Sequence, residues 1–265
     1  MGFLSKLAFK NLFRHKLRTA VSIIAIAFTV MIVVFARGYI VGAIDSTFAN
    51  HIYYSSGHIK IIDQEYREQE RILPLIYPVD GFPGEDLGEM ISSLQEITQI
   101  EMVIPRLKFG AMVSTEEELV AISGWGINPD REVVFTNIED YLAEGRMVEP
   151  GKQEVVMGSA LLKKIDRQVG ENVTIIMNTA FNSLRGVTFT IVGRLESGLK
   201  VLNEHVFYLP LGEAQRILEM EEQVTEVLLV TADRNLVNKA LPEVKELITE
   251  RGAAECYLAL SFKET

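Results

Sequence analysis

The sequence predicts an α+β fold hung on an N-terminal membrane helix, and three observations carry that expectation. Residues 19–36 contain no charged side chain. Downstream, strand-like runs alternate with segments whose apolar residues recur at helical spacing. Between roughly residues 128 and 209 the helical spacing gives way to short β-rich runs separated by Gly and polar residues.

The apolar segment comes first. Of residues 19–36, ten are Val, Ile or Phe, and the run is apolar throughout but for Thr19, Ser22 and Thr29. Eighteen helical residues span roughly 27 Å, close to the hydrocarbon thickness of a bilayer. Ten such side chains favour insertion by a few kcal/mol, on the order of −0.3 to −0.6 kcal/mol each. A cleaved signal peptide is the rival reading, with Val34-Phe35-Ala36 as its cleavage site. Against it stand the long basic start and the apolar residues that continue as Tyr39-Ile40-Val41 and Ala43-Ile44.

Before the span, Lys6, Lys10, Arg14 and Arg18 recur every four residues, with Leu4, Ala8, Phe9, Leu12, Phe13 and Leu17 on other sides. This pattern predicts an amphipathic helix lying on the membrane surface; an ordinary basic flank is the plainer alternative. Either way the cations stay cytoplasmic by the positive-inside rule, and residues after about 45 lie outside.

Composition supports a folded outer part. The chain has 265 residues, 48% hydrophobic and 23% charged, enough for one or two folded units. Six basic residues and no acid precede Asp45; removing those six from the 26 leaves 20 against 36 acidic residues, about −16 for the remainder. So acidic a domain is no nucleic-acid partner. Cys256, the single cysteine, allows no intrachain disulfide, and its place in an alternating run predicts a small buried thiol.

Within the outer part, residues 53–62 read as a strand with Ile59 and Ile61 on one face. A loop rich in Pro and charge runs to Pro83. Leu87, Met90, Ile91 and Leu94 give helical spacing, and residues 100–109 and 118–126 read as strands. The β-rich middle holds runs at 154–157, 172–176 and 187–192, as in a small β subdomain or barrel. Residues 212–220 read as a helix and 224–231 as a strand. A last helix follows with Asp233 as N-cap, Leu236, Ala240, Val244, Leu247 and Ile248 inward and Pro242 as a kink, before a final strand ending at Leu260. The two mixed flanks can pair in space around an inserted middle.

Catalytic motifs are missing from the sequence. There is no Gly-x-x-x-x-Gly-Lys-Ser/Thr phosphate loop, and Gly124-Trp125-Gly126 lacks the third Gly and helix start of a dinucleotide cradle. His51 and His58 stand seven apart without a Cys or carboxylate at zinc-ligand spacing. Ser159 falls outside Gly-x-Ser-x-Gly, and Lys163 lies four rather than three residues on. Glu116-Glu117-Glu118 reads as a solvated turn. No catalytic residue, cofactor or metal site is expected.

Several phrases, in order, carry a resemblance: residues 9–19 leading into the span, Gly57-His58-Ile59-Lys60-Ile61, Pro105-Arg106, Gly126-Ile127-Asn128-Pro129, Glu144-Gly145-Arg146, Val169-Gly170-Glu171, Val192-Gly193-Arg194 and Leu211-Gly212-Glu213-Ala214-Gln215. Together they resemble ABC-transporter permeases of the MacB, LolC/LolE and FtsX superfamily, closest to the lipoprotein-releasing members. The resemblance implies a cytoplasmic amphipathic helix (1–18), a transmembrane helix (19–36), a helical stalk (37–52), a discontinuous α/β Porter-like lobe (53–127 and 210–260) and an inserted β-rich Sabre-like lobe (128–209). It implies three more membrane helices after the outer domain, so the chain reads as truncated. It places the protein in a bacterial inner membrane, with the main domain periplasmic or extracellular.

The same resemblance implies mechanotransmission, in which a separate cytoplasmic ATPase moves the membrane helices and the outer domain moves lipoproteins or other amphiphiles. Implied partners are that ATPase, a second permease copy or paralogue, membrane lipids, and a lipoprotein, periplasmic chaperone or adaptor. The chaperone-docking hook of lipoprotein-releasing permeases corresponds to residues 178–186, shorter here and without proline; Phe181, Leu184 and Arg185 are the candidate contact residues. A hairpin folding its own apolar residues inward is the alternative. An FtsX-like module activating a cell-wall hydrolase is the second function the resemblance allows.

Overall fold

The computed structural model describes residue 2 and residues 16–115 and 118–265. Lys6, Lys10 and Arg14 lie outside the described residues, as do Glu116 and Glu117. The chain divides into two compact units, Met1–Asn50 and His51–Thr265.

The first unit is dominated by α1 (Lys16–His51), a 36-residue helix with no buried residue. Among the described residues it belongs to the one helical run, Lys16–Ser56, long and apolar enough to cross a membrane, with a peak mean hydropathy of 2.6. Three of its hydroxyls are satisfied within the helix: Ser22, Thr29 and Thr47 each donate to the carbonyl four residues back, at 3.0, 2.8 and 2.9 Å. At a rise of about 1.5 Å per residue the helix is about 54 Å long, well beyond a hydrocarbon core of about 30 Å. It runs without a break through Gly38 and Gly42.

The strand expected from residue 53 starts only at Ile59. Ile40, Ile44, Phe48 and Ile52 keep a four-residue apolar spacing, so the helix continues into a π-helical turn, Ile52–Ser56. Gly57 ends it at φ 60°, where an added Cβ would stand 3.0 Å from Cβ of Leu228. Only glycine adopts that conformation without strain.

In the second unit follow β1 (Ile59–Asp63), α2 (Gln64–Gln69), a 3-10 turn (Glu70–Ile72) and α3 (Leu87–Gln95). Asp86 and Glu89 form a reciprocal capping box at the start of α3. Then come β2 (Ile100–Ser114), β3 (Leu119–Ile127), α4 (Pro129–Thr136), a 3-10 turn (Ile138–Tyr141), β4 (Leu142–Gly145), β5 (Glu154–Gly158) and α5 (Ser159–Lys164). The chain continues through β6 (Asn172–Asn178), β7 (Leu184–Leu195), α6 (Lys200–His205), β8 (Val206–Pro210), α7 (Leu211–Leu218) and β9 (Glu226–Thr231). It closes with a 3-10 turn capped by Asp233 (Arg234–Leu236), α8 (Val237–Glu250) and β10 (Tyr257–Ser261).

The architecture is mixed α+β, as expected. The helices α4, α5 and α6 interrupt a middle that read as β-rich alone. Cys256 is a correction: it is exposed, because it sits in the turn before β10, its N–H donating to the Ala253 carbonyl. The inward alternation begins one residue later at Tyr257 and Ala259.

One strand ties the second unit together. The first half of β2 pairs with β9 in the sheet β10-β1-β9-β2, whose core holds Ile59, Ile61, Val103, Leu229, Val244 and Ile248. Its second half pairs with β3 and β6. From there each strand finds a further neighbour, β3 with β8, β8 with β5, β5 with β7 and β7 with β6, so six strands close into a ring. Closure gives each of those strands a partner on both sides over part of its length.

Alternate residues fill the ring, among them Phe109, Ala111, Val155, Ile175, Phe189 and Phe207. Gly124 belongs to the same packing. A Cβ there would lie 2.2 Å from the Phe109 ring, which meets Phe207 edge-on at 5.8 Å between centroids. A third apolar cluster, including Trp125, Val156, Val206 and Tyr208, covers the outer face of β3, β5 and β8.

Candidate functional site

The π-helical turn Ile52–Ser56 opens the second unit and packs on two of its apolar clusters. In the π-helical turn, Ile52 enters the core of the β10-β1-β9-β2 sheet and Tyr54 packs on the cluster outside the ring. Tyr53 meets Phe135 of α4 edge-on, 5.5 Å between centroids. A helix leaves its last carbonyls without intrahelical partners and carries partial negative charge at that end. Arg106 of β2 meets both demands, donating from Nη2 to the Tyr53 carbonyl at 2.9 Å.

Arg106 is itself fully buried, at 0% exposure. Its Nε and Nη2 also donate to the two carboxylate oxygens of Glu132, at 3.1 and 2.5 Å, in the two-pronged geometry a guanidinium favours. Glu132 stands on α4 and is 1% exposed. The guanidinium lies 5.5 Å from the Trp125 ring centroid and 5.8 Å from that of Phe135. Burial works against the charge on Arg106, but the opposing charge and hydrogen bonds of Glu132 outweigh it and raise the pKa.

A second buried charged group adjoins the first. Lys60 of β1 pairs with Glu70, and Glu226 of β9 lies 2.7 Å from Nζ of Lys108 and 3.8 Å from Nζ of Lys60. Lys108 also sits 4.5 Å from the Trp125 ring centroid. Burial lowers the pKa of Lys108 against the pull of Glu226. Burial alone would raise that of Glu226, yet Lys108, Lys60 and Arg106 hold it below the ordinary carboxylate value. These charges are paired rather than poised for proton transfer, and among the described residues no group of His, Cys, Asp or Glu is arranged to hold a metal.

The loop singled out in the sequence is the tip of the β6–β7 hairpin. Thr179 and Ser183 close it, with the Thr179 N–H donating to the Ser183 carbonyl at 2.8 Å. Phe181 and Leu184 point outward, 75% and 67% exposed. Arg185 pairs with Glu219 at the end of α7. Beside the tip lies a half-open groove of about 520 Å³ between the hairpin and residues 69–76. None of its lining residues is charged, and Ile72 and Ile76 on its far wall are exposed. Arg18, the described member of the basic stripe, lies in the first turn of α1.

Sequence reasoning quoted Pro105-Arg106 and Asn128-Pro129 but assigned neither a role, and it missed Glu132. A usable signal was present. Asn at the N-cap followed by Pro at the first helical position predicts a helix from residue 129, and Asn128 does accept from the Arg131 N–H at 3.2 Å.

Residues 19–247 match the family described as MacB-like periplasmic core domain. Among the solved structures that resemble the chain are two transporter domains. The extracellular domain of the noncanonic ABC-type transporter YknZ from Gram-positive bacteria is 15% identical, with a TM-score of 0.51 over 76% of this chain and 100% of that one. The periplasmic region of MacB from Actinobacillus actinomycetemcomitans is 13% identical, with a TM-score of 0.51 over 77% of this chain and 88% of that one. At such identities the likeness is one of fold; the family match, spanning most of the sequence, places this chain in the MacB-like periplasmic core domain family.

Proposed function

We propose that the protein acts as a permease component of an ABC transporter that works by mechanotransmission, through its first helix and outer domain. Membership of the family makes it an ABC-type permease component anchored by its apolar helix. The finer reading is that a separate cytoplasmic ATPase moves α1, and that the outer domain moves a lipoprotein or another amphiphile from the outer leaflet of a bacterial inner membrane. The carrying observation is that the long apolar helix continues without a break into the π-helical turn, where Ile52 lies in one core and Tyr54 on another.

On this reading the N-terminus is cytoplasmic, the main domain periplasmic or extracellular, and the stripe from Lys6 to Arg18 lies on lipid. The assembly contains a second permease copy or paralogue. Phe181 and Leu184, exposed beside an uncharged groove, offer a contact for the cargo, a chaperone or an adaptor. The test is release of the amphiphile from proteoliposomes holding the full permease and its ATPase. Release is expected to require ATP and to stop with a hydrolysis-dead ATPase. Release that continues with the dead ATPase rules the reading out, and copurification of a cell-wall hydrolase without amphiphile turns it toward an FtsX-like signalling module.

A further inference from the structure

Arg106 occupies a singular place in the sheet. It is the last residue of β2 paired to β9, opposite Glu226, and the first paired to β3, opposite Ile127. The strand therefore changes from the sheet to the closed ring at the residue that caps the long helix. A buried ion pair stabilises little over a well-packed apolar pair, because desolvation offsets the attraction. Its geometric specificity is a better reason for its presence: four elements, the π-helical turn, β2, β3 and α4, meet at one cation.

We infer that Arg106, held by Glu132, is the positioning residue that couples displacement of the long helix to both halves of the outer domain. The inference rests on the proposed function and adds to it the place where force enters. A helix moving along its axis carries the Tyr53 carbonyl with it. Arg106 follows, and because β2 belongs to both the sheet and the ring, neither half moves without the other. π-Helical turns recur at functional sites, and this one holds the only backbone oxygen to which Arg106 is seen to donate among the described residues.

The experiment uses the assembled transporter with the double variant Arg106→Met/Glu132→Leu, which removes both buried charges together and leaves the Tyr53 carbonyl without its side-chain donor. Three readouts are taken: hydrogen exchange of the amides at 52–57 and of the β2–β9 ladder, ATP hydrolysis, and transport. Exchange at 52–57 should quicken by about tenfold while the ladder stays protected. Transport should fall by about tenfold with hydrolysis within about twofold of the parent, a split that mere loss of stability does not give. Unchanged exchange at 52–57, or undiminished transport, overturns the inference.

Should the double variant fail to fold, Arg106→Lys serves. Lysine keeps the charge but cannot hold both Glu132 oxygens and the Tyr53 carbonyl in one plane, and about threefold faster exchange at 52–57 is expected. A parent transporter that shows no ATP-driven transport sinks the functional reading instead, and the exchange comparison then decides the clamp alone.

Discussion

At the scale of single residues, the buried pair at the foot of the helix gives the sharpest stability contrast. Arg106→Met alone strands the Glu132 carboxylate in an apolar site and should cost about 3–5 kcal/mol in urea unfolding of the detergent-solubilised chain. The double change Arg106→Met/Glu132→Leu leaves no buried charge unpaired and strands only the Tyr53 carbonyl, so it should cost about 1–2 kcal/mol. Equal destabilisation by both would mean that packing, not the orphaned charge, sets the cost. His58 makes a pH prediction. Its Nδ1 accepts from the Thr231 N–H at 3.0 Å, and burial, partly opposed by Asp233, holds its pKa below 6.5. The unfolded chain therefore takes up the proton first. Stability is complete above about pH 6.5 and is lost as the pH falls through the folded value. His58→Gln should therefore flatten the acid slope of the unfolding midpoint. An unchanged slope contradicts the assignment. Neither role was legible in sequence: Arg106 and Glu132 are 26 positions apart, on a strand and a helix whose meeting only the tertiary fold decides.

At the scale of elements, local signals performed well where a repeat was long enough. Leu87, Met90 and Leu94 placed α3, and the alternation through Tyr257 and Ala259 placed β10. They failed at short helices and at joins. The helices α5 and α6 are six residues each, too short for a 3.6-residue period to show. The apolar Tyr53 and Tyr54 suit a strand by type, yet Ile44, Phe48 and Ile52 extend the helical face to them. Gly57 then fixes the boundary, and Gly57→Ala should cost about 1–2 kcal/mol, read by thermal unfolding, because its positive φ and Leu228 both resist a methyl group. The β6–β7 hairpin predicts the opposite behaviour. Phe181→Ser/Leu184→Ser should leave stability within about 0.5 kcal/mol, since both side chains are exposed, and, if the proposed contact with a chaperone or adaptor holds, should weaken its capture in a pull-down. A large loss of stability would show that the tip supports the fold instead of meeting a partner.

At the scale of the molecule, the mixed α+β class and the apolar N-terminal helix were readable from charge and periodicity, and the middle read as a small β subdomain or barrel, but the recruitment of β2 and β3 into the ring from outside that middle was not legible. Ring closure depends on pairings such as Ala111 with Met177 and Val156 with Tyr208, far apart in sequence and set by no local rule. What the whole fold adds is a single strand, β2, common to the sheet and the ring, with the helix end fastened at its midpoint. The account stands or falls on whether energy from the ATPase reaches that point. The direct measurement is hydrogen exchange across the assembled transporter, compared between the nucleotide-free state and the state trapped after hydrolysis with vanadate. The account predicts a change in protection concentrated at residues 52–57 and at 103–108 of β2, abolished by a hydrolysis-dead ATPase. Protection there that is identical in the two states, while the cytoplasmic ends of the helices respond, would contradict it and leave the long helix as a plain anchor.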